Sequence, residues 1–202
     1  MAVAIILKTP ELNEVITENK VIYTDGAYKF SNKINGKTVL GVIGDFDSLG
    51  YMPKGEKIIR LEVEKNFTDG ERAVIFAKEC GEKEVVIYGA NGGRLEHILG
   101  NIALLKIAQK AGLQAKLKTD GNCAELVGTG EKKLRVKKGG KVSFIPYGGE
   151  CEFIKSEGLY YPLDNLTLTP ADTRGISNMA TESEIKFTII RGETLIIYES
   201  AR

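Results

Sequence analysis

A chain of 202 residues with 43% hydrophobic and 27% charged side chains is long enough to bury a sizeable core and too apolar for a disordered tail. Its net charge of +1 gives the molecule no general pull onto nucleic acid or an anionic membrane. Cys80, Cys123 and Cys151 are few, odd in number and widely spaced, which argues against a disulfide framework.

Residues 2–7 form an apolar run too short to span a membrane and read as a first strand. No other stretch approaches membrane length, so the cytoplasm is the expected compartment. A polar, partly helical stretch then leads into a strand at 21–24. Residues 39–43 are β-rich and end at Gly44; 57–62 is a further strand. Thr68-Asp69-Gly70-Glu71 reads as a capping box with Thr68 at the N-cap. Ala73, Val74, Ala77 and Cys80 recur at helical spacing until Gly81 stops the segment. Residues 85–88 are almost wholly apolar, as strands buried on both faces are. A second helix is expected from about residue 95 to 111, with Ile98, Ile102 and Leu105 along one line and Gly112 as its stop. Strands alternating with helices predict a layered parallel α/β sheet.

The pattern changes near residue 120. Short strand signals at 123–127, 132–136, 141–145, 151–154, 166–168, 184–190 and 193–198 are separated by Gly, Asn, Asp and Pro, with no long helical period. That is the signature of an antiparallel sandwich or barrel. The expected domains are an α/β domain over 1–119 and a β domain over 120–202. The basic run of Lys132, Lys133, Arg135, Lys137, Lys138 and Lys141 reads as a solvated hairpin face, since no regular aromatic interleaving marks it for nucleic acid.

The most informative string is Val42-Ile43-Gly44-Asp45-Phe46-Asp47-Ser48, where a strand runs into glycine and then into two carboxylates one residue apart. In open α/β sheets ligands sit beyond the carboxyl ends of the strands. Neighbouring carboxylates repel unless a cation offsets them. A hard divalent cation such as Mg²⁺, shared with phosphate oxygens, meets that need. A plain Asx-turn accounts for the same string without a ligand.

Three further strand ends carry chemistry. Tyr23-Thr24-Asp25-Gly26 follows one strand. Glu64-Lys65-Asn66-Phe67-Thr68-Asp69 follows another, with Asp69 in a first helical turn and Lys65 suited to hold phosphate as a point cation. Gly89-Ala90-Asn91-Gly92-Gly93-Arg94-Leu95-Glu96-His97 opens the long helix, where glycine amides and a helix start favour an anion. Arg94 adds a forked donor, and His97 and Asn101 share a helix face. Each has a bland reading as a turn, a cap or a helix-start residue. In a parallel sheet, however, all four ends share one edge, and a phosphate–metal cleft accounts for them together.

Taken in order, Asp25-Gly26-Ala27, Gly44-Asp45-Phe46-Asp47-Ser48, the string from Glu64 to Asp69, Gly92-Gly93-Arg94-Leu95-Glu96-His97 and Asn101 resemble the motifs of the thiamine pyrophosphokinase family. The likeness extends to Gly158-Leu159-Tyr160-Tyr161-Pro162-Leu163 and to Arg174-Gly175-Ile176-Ser177-Asn178. It implies an N-terminal layered parallel-sheet nucleotide-binding domain and a C-terminal antiparallel β-sandwich domain. It implies a homodimer with active sites between subunits, small-molecule substrates, and transfer of the pyrophosphoryl group of ATP to thiamine with Mg²⁺ as cofactor. By the resemblance Asp45, Asp47 and Asp69 would hold metal, and Asp25 would lie near the reacting end of thiamine. Ser48, Lys65, Asn66 and Thr68 would border the substrates. Arg94, His97 and Asn101 would form the nucleotide side, and Ser177 and Asn178 would contact thiamine. Asp25, Asp47, Lys65, Asp69 and Arg94 are the candidates for a direct part in transfer.

This chain has Asn66 and Glu96 where the family usually has aspartate. It also has no tryptophan, which some members place against the thiamine ring; Tyr160 and Tyr161 occupy the related stretch. Residue chemistry alone leaves two other readings. One is a metal-dependent phosphohydrolase using the same acids with water. The other is a non-catalytic protein that binds thiamine or a nucleotide.

Overall fold

The computed structural model describes residues 2–62, 66–119 and 121–200. The chain divides into two compact units, Met1–Asp120 and Gly121–Arg202.

The first unit carries strands β1 (Val3–Ile6), β2 (Lys20–Thr24), β3 (Thr38–Gly44), β4 (Ile58–Arg60), β5 (Glu84–Tyr88) and β6 (Gln114–Thr119). They lie in the order β6-β5-β1-β2-β3-β4, and neighbours run parallel. Strand β1 is buried along its whole length, as a strand covered on both faces must be. Val3 pairs with Lys20 on one side and Val85 on the other. The chain therefore fills the sheet outward from β1 in both directions. A crevice beyond the carboxyl ends follows from that reversal of winding.

Side-chain alternation assigns the two faces. Ala4, Ile6, Val21, Tyr23, Val42 and Tyr88 share one core with Ala27 and Phe30 of a 3₁₀ segment, Asp25–Lys33. On the other face helix α1 (Asp69–Glu79) comes so close that a Cβ on Gly41 would lie 2.9 Å from the Phe76 ring. Helix α2 (Leu95–Lys110) packs on α1, where Leu104 lies 2.9 Å from the position a Cβ on Gly70 would take.

Three local expectations are corrected. Among the described residues no helix lies between β1 and β2; Pro10 interrupts the segment and Thr9 Oγ1 donates to the Glu11 carbonyl at 2.9 Å, a local bond that competes with helix. The turn after β2 is the start of the 3₁₀ segment, stabilised by burying Ala27 and Phe30. Strand β6 goes unseen in the sequence because its alternating lysines leave only Leu117 buried.

The second unit holds β7 (Asn122–Val127), β8 (Gly130–Arg135), β9 (Lys141–Pro146), β10 (Cys151–Glu157), β11 (Leu166–Leu168), β12 (Asn178–Met179), β13 (Glu184–Arg191) and β14 (Thr194–Glu199). Antiparallel pairing gives the orders β12-β9-β14-β7 and β11-β10-β13-β8. Both sheets feed one apolar cluster that includes Phe144, Phe153, Leu168, Phe187 and Ile196. The Phe144 ring meets Phe153 and Phe187 edge-on, at 5.7 and 5.4 Å between centroids. In the basic run Lys137 pairs with Glu199 and Lys138 with Glu182, as a solvated face does. Cys123 and Cys151 are buried and Cys80 is exposed, and none of the three is in a disulfide. No helix among the described residues is long and apolar enough to cross a membrane.

The phenylalanine cluster sets a stability prediction. Replacing Phe144 by alanine removes a buried ring from between two others and should cost about 3–5 kcal/mol in denaturant unfolding. A loss under about 1 kcal/mol would mean that the cluster is not the organising core of this unit.

Candidate active site

The carboxyl ends of the parallel strands surround a cavity of about 540 Å³. Leu7 and Lys8 reach it from beyond β1, Thr24 and Asp25 from β2, and Asp45, Asp47 and Ser48 from β3. The start of α1 adds Thr68, Asp69 and Gly70, and the loop after β5 with α2 adds Gly92, Glu96, His97, Gly100 and Asn101. Of the residues expected along one edge, Asp25, Asp45, Asp47, Asp69 and His97 line this cavity.

Backbone geometry aims the acids. Phe46 sits at φ 66° with its ring only 5% exposed. A left-handed non-glycine residue costs on the order of 1 kcal/mol, and here the buried ring offsets that cost. The chain reverses at Phe46, so its ring enters the core while Asp45 and Asp47 both face the cavity. Asp25 also has a positive φ, 25°, and is 4% exposed. It lies so tightly over β3 that a Cβ on Gly44 would approach its own Cβ to 2.7 Å. Glycine before Asp45 is thus a packing requirement.

Carboxylate oxygens of Asp25, Asp45 and Asp47 all lie within 4.8 Å of one another. Asp45 Oδ1 accepts from the Asp47 amide at 3.3 Å, so the Asx-turn is present too. The Ser48 hydroxyl, which donates to Asp47 Oδ1 at 3.0 Å, is the first cause holding the Asp47 carboxyl below the usual carboxylate range. The Asp45 contact and the Lys8 charge act in the same direction. Asp25 Oδ1 is buried and accepts no hydrogen bond from any described residue. Such an oxygen, next to two more carboxylates, fits a hard cation and is costly without one.

Asp69 lines the same cavity from the first turn of α1 but is not part of that trio. Its helix is capped as the sequence predicts: Thr68 Oγ1 accepts from the Glu71 amide at 3.1 Å. Asn66 is exposed and is not on the cavity wall, and Lys65 lies outside the described residues. On the opposite wall the Asn101 amide donates to the Ala90 carbonyl at 3.0 Å and holds the glycine loop in place. Arg94 is exposed and off the wall; its Nη2 donates to His97 Nε2 at 3.0 Å and its Nε pairs with Glu96 at 2.6 Å. A guanidinium only donates, so His97 accepts at Nε2 and carries its proton on Nδ1.

Ser177 and Asn178 belong to the second unit and differ in character. Ser177 is exposed at φ 58°, with its amide donating to Ser143 Oγ at 3.0 Å. Asn178 is buried. Its Oδ1 accepts from the amides of Tyr161 and Met179 at 3.0 and 2.8 Å, and its Nδ2 donates to the Tyr161 carbonyl at 2.7 Å. It holds the backbone that presents Tyr160 and Tyr161. Those rings are 59% and 63% exposed and meet edge-on at 4.8 Å, so neither belongs to the core of this unit. The sequence pattern points to neither Lys8 nor the wall position of Glu96 as part of the site, and both line the cavity. Lys8 does carry one local signal: like the other site residues, it follows a strand end.

A family model described as thiamin pyrophosphokinase, catalytic domain, matches residues 13–117, and one described as the vitamin B1 binding domain matches residues 131–192. The chain belongs to the thiamin pyrophosphokinase family. The thiamine pyrophosphokinase of Bacillus subtilis (strain 168) is 30% identical over 161 residues, covering 76% of this chain and 75% of that protein. The crystal structure of a Bacillus subtilis thiamine pyrophosphokinase shares the fold at a TM-score of 0.85, with 24% identity and full coverage of both chains. That of Geobacillus thermodenitrificans gives 0.83 at 24% identity, covering 100% of this chain and 98% of the other. The yeast thiamin pyrophosphokinase gives 0.76 at 12% identity, covering 98% and 86%. The thiamin pyrophosphokinase catalytic match spans the strand ends that carry the acids, and the vitamin B1 match spans Tyr160, Tyr161, Ser177 and Asn178.

If the trio holds a divalent cation, Asp25→Asn separates metal binding from folding. Removing one of three crowded negative charges should leave the metal-free melting temperature unchanged or raised. It should weaken Mg²⁺ binding by about tenfold or more, and with it the stabilisation that Mg²⁺ confers. Calorimetric titration and melting curves with and without Mg²⁺ test this; unchanged Mg²⁺ affinity would remove Asp25 from the metal site.

Proposed function

We propose that the strand-end cavity is where a metal–ATP complex is held for transfer of its pyrophosphoryl group to thiamine, giving thiamine diphosphate and AMP. Thiamine pyrophosphokinase activity itself follows from family membership. The observation that carries the site is the meeting of Asp25, Asp45 and Asp47, with one buried oxygen left unpaired, inside the catalytic-domain match. A divalent cation there, Mg²⁺ by its preference for oxygen ligands, would neutralise phosphate oxygens and the departing AMP.

The chain's residues supply the rest. The hydroxyethyl oxygen of thiamine attacks the β-phosphorus, the bond to the α–β bridging oxygen breaks, and a carboxylate of the cluster, from Asp25 or Asp47, takes the alcohol proton. Asp69 adds negative charge on the metal side. The glycine loop held by Asn101, with Arg94 and His97 at the start of α2, forms the nucleotide side. Arg94 reaches phosphate by leaving Glu96, an exposed pair that costs little to open. Lys65 is assigned to the phosphates by family pattern alone. In-line alignment of alcohol, phosphorus and leaving oxygen contributes much of the remaining acceleration.

The parallel-sheet unit serves as the nucleotide- and metal-binding domain and the antiparallel unit as the thiamine-binding sandwich. Ser177 offers an exposed hydroxyl to the aminopyrimidine, and Asn178 acts through the Tyr160–Tyr161 loop it holds. We place the protein in the cytoplasm, where free thiols such as the exposed Cys80 persist.

Incubation with ATP, Mg²⁺ and thiamine, followed by mass detection, should show AMP and thiamine diphosphate appearing together. Phosphate release without thiamine would favour a hydrolase, and binding without product a binding protein. Asp47→Asn should lower turnover at saturating Mg²⁺ by at least about tenfold, near 1.4 kcal/mol of transition-state stabilisation, in a protein that still folds. Near-normal turnover would sink the role given to Asp47.

A homodimer with active sites between subunits is proposed on the exposed Tyr160, Tyr161 and Ile176, apolar surface that a two-fold partner can cover. Sedimentation at low micromolar concentration should give about twice the 22.1 kDa chain mass. A fully active monomer would end the between-subunit assignment.

A further inference from the structure

The described wall of the cavity carries five carboxylates, from Asp25, Asp45, Asp47, Asp69 and Glu96, and one lysine, Lys8, with no arginine. Lys8 Nζ donates to Ser48 Oγ at 2.5 Å, and Ser48 Oγ donates to Asp47 Oδ1 at 3.0 Å. An ammonium has no lone pair and a hydroxyl has one hydrogen, so the order of donation from Lys8 through Ser48 to Asp47 has one solution. Packing aims the lysine. A Cβ on Gly26 would lie 3.3 Å from both Lys8 Cδ and Ser48 Cβ, so the aliphatic stem and the serine rest on the backbone next to Asp25.

We propose that Lys8 is the resident cation of the acid cluster: it holds Asp47 through Ser48 in the metal-free protein and turns to the polyphosphate of the nucleotide when a divalent cation occupies the acids. This rests on the reading of the cavity as a metal–nucleotide site. The swap follows from charge. A lysine is a point cation on a flexible four-carbon stem, able to redirect without breaking a bidentate geometry. A divalent cation on Asp47 repels the ammonium, while the incoming phosphates attract it. Lys8 therefore acts with opposite signs on the two ligands. It opposes a bare metal ion and favours the anionic nucleotide.

That difference of sign is the test. Lys8→Met keeps the length of the stem and its contact with Gly26 while removing the charge; Lys8→Gln is a second neutral variant, and Lys8→Arg retains the charge. Mn²⁺ is titrated calorimetrically into the nucleotide-free protein, and kcat and KM are measured for ATP and for thiamine. Lys8→Met and Lys8→Gln should bind Mn²⁺ about threefold or more tighter, the direction expected when a neighbouring like charge is removed. The same variants should lose about tenfold or more in kcat/KM for ATP, with the thiamine KM within about twofold of wild type. Lys8→Arg should return the Mn²⁺ affinity to near the wild-type value. Weaker Mn²⁺ binding in the neutral variants would make Lys8 a mere prop of the cluster, and no change in either quantity would make it a bystander; both overturn the inference. A wild-type chain that neither binds Mn²⁺ nor forms thiamine diphosphate would overturn the reading of the cavity itself. That result is distinct from a wild type that does both while Lys8→Met matches it.

Discussion

Like-charge repulsion at the ends of β2 and β3 is the constraint on which the site depends. Asp25, Asp45 and Asp47 bring carboxylate oxygens within 4.8 Å of one another. Carboxylates so placed are held together only by the surrounding fold and by cations. The fold's share is visible in the backbone. Phe46 adopts a left-handed conformation with its ring buried, Asp25 also has a positive φ, and Gly44 leaves the room that the close approach of Asp25 requires. The counter-charge within the described chain comes from Lys8, through Ser48. A cluster stabilised in this way is primed to exchange its weak internal cation for a stronger one that arrives with phosphate.

The parallel sheet makes the crowding possible. Strand β1 has neighbours on both sides, and the chain winds outward from it in two directions. Its carboxyl end and those of β2, β3 and β5 open onto one cavity, along with the first turn of α1. The starts of α1 and α2 border that same edge, where the positive end of a helix favours anions. The second unit follows a different logic. Its two sheets bury a phenylalanine cluster, and Asn178 spends its amide on Tyr161, leaving the two tyrosines and Ser177 outward.

The departures from the family pattern acquire a physical meaning. Asn66 is exposed and off the cavity wall, so the asparagine takes no carboxylate from that wall. Glu96 does line the cavity, and its carboxylate neutralises Arg94. In the stretch where some members carry tryptophan, the exposed edge-on pair of Tyr160 and Tyr161 offers aromatic surface.

By itself the sequence determined α1 and α2, the strong strands and the location of chemistry at strand ends. Those features are local: Thr68 caps α1 within three residues, β1 and β5 are short continuous apolar runs, and an acid after a strand is visible as such. Weak elements escaped it for the same reason. Strand β6 buries only Leu117, and the 3₁₀ segment after Asp25 is held by burial in a core assembled from distant strands. Tertiary structure alone decided which acids meet. Parallel register between β2 and β3 brought Asp25, rather than Asp69, against Asp45 and Asp47, and the position of β1 beside β2 delivered Lys8 to Ser48, 40 residues away. It also decided that Asn178 turns inward and Ser177 outward. Both carry hydrogen-bonding groups, and only the pairing of β12 with β9 fixes which one the fold consumes.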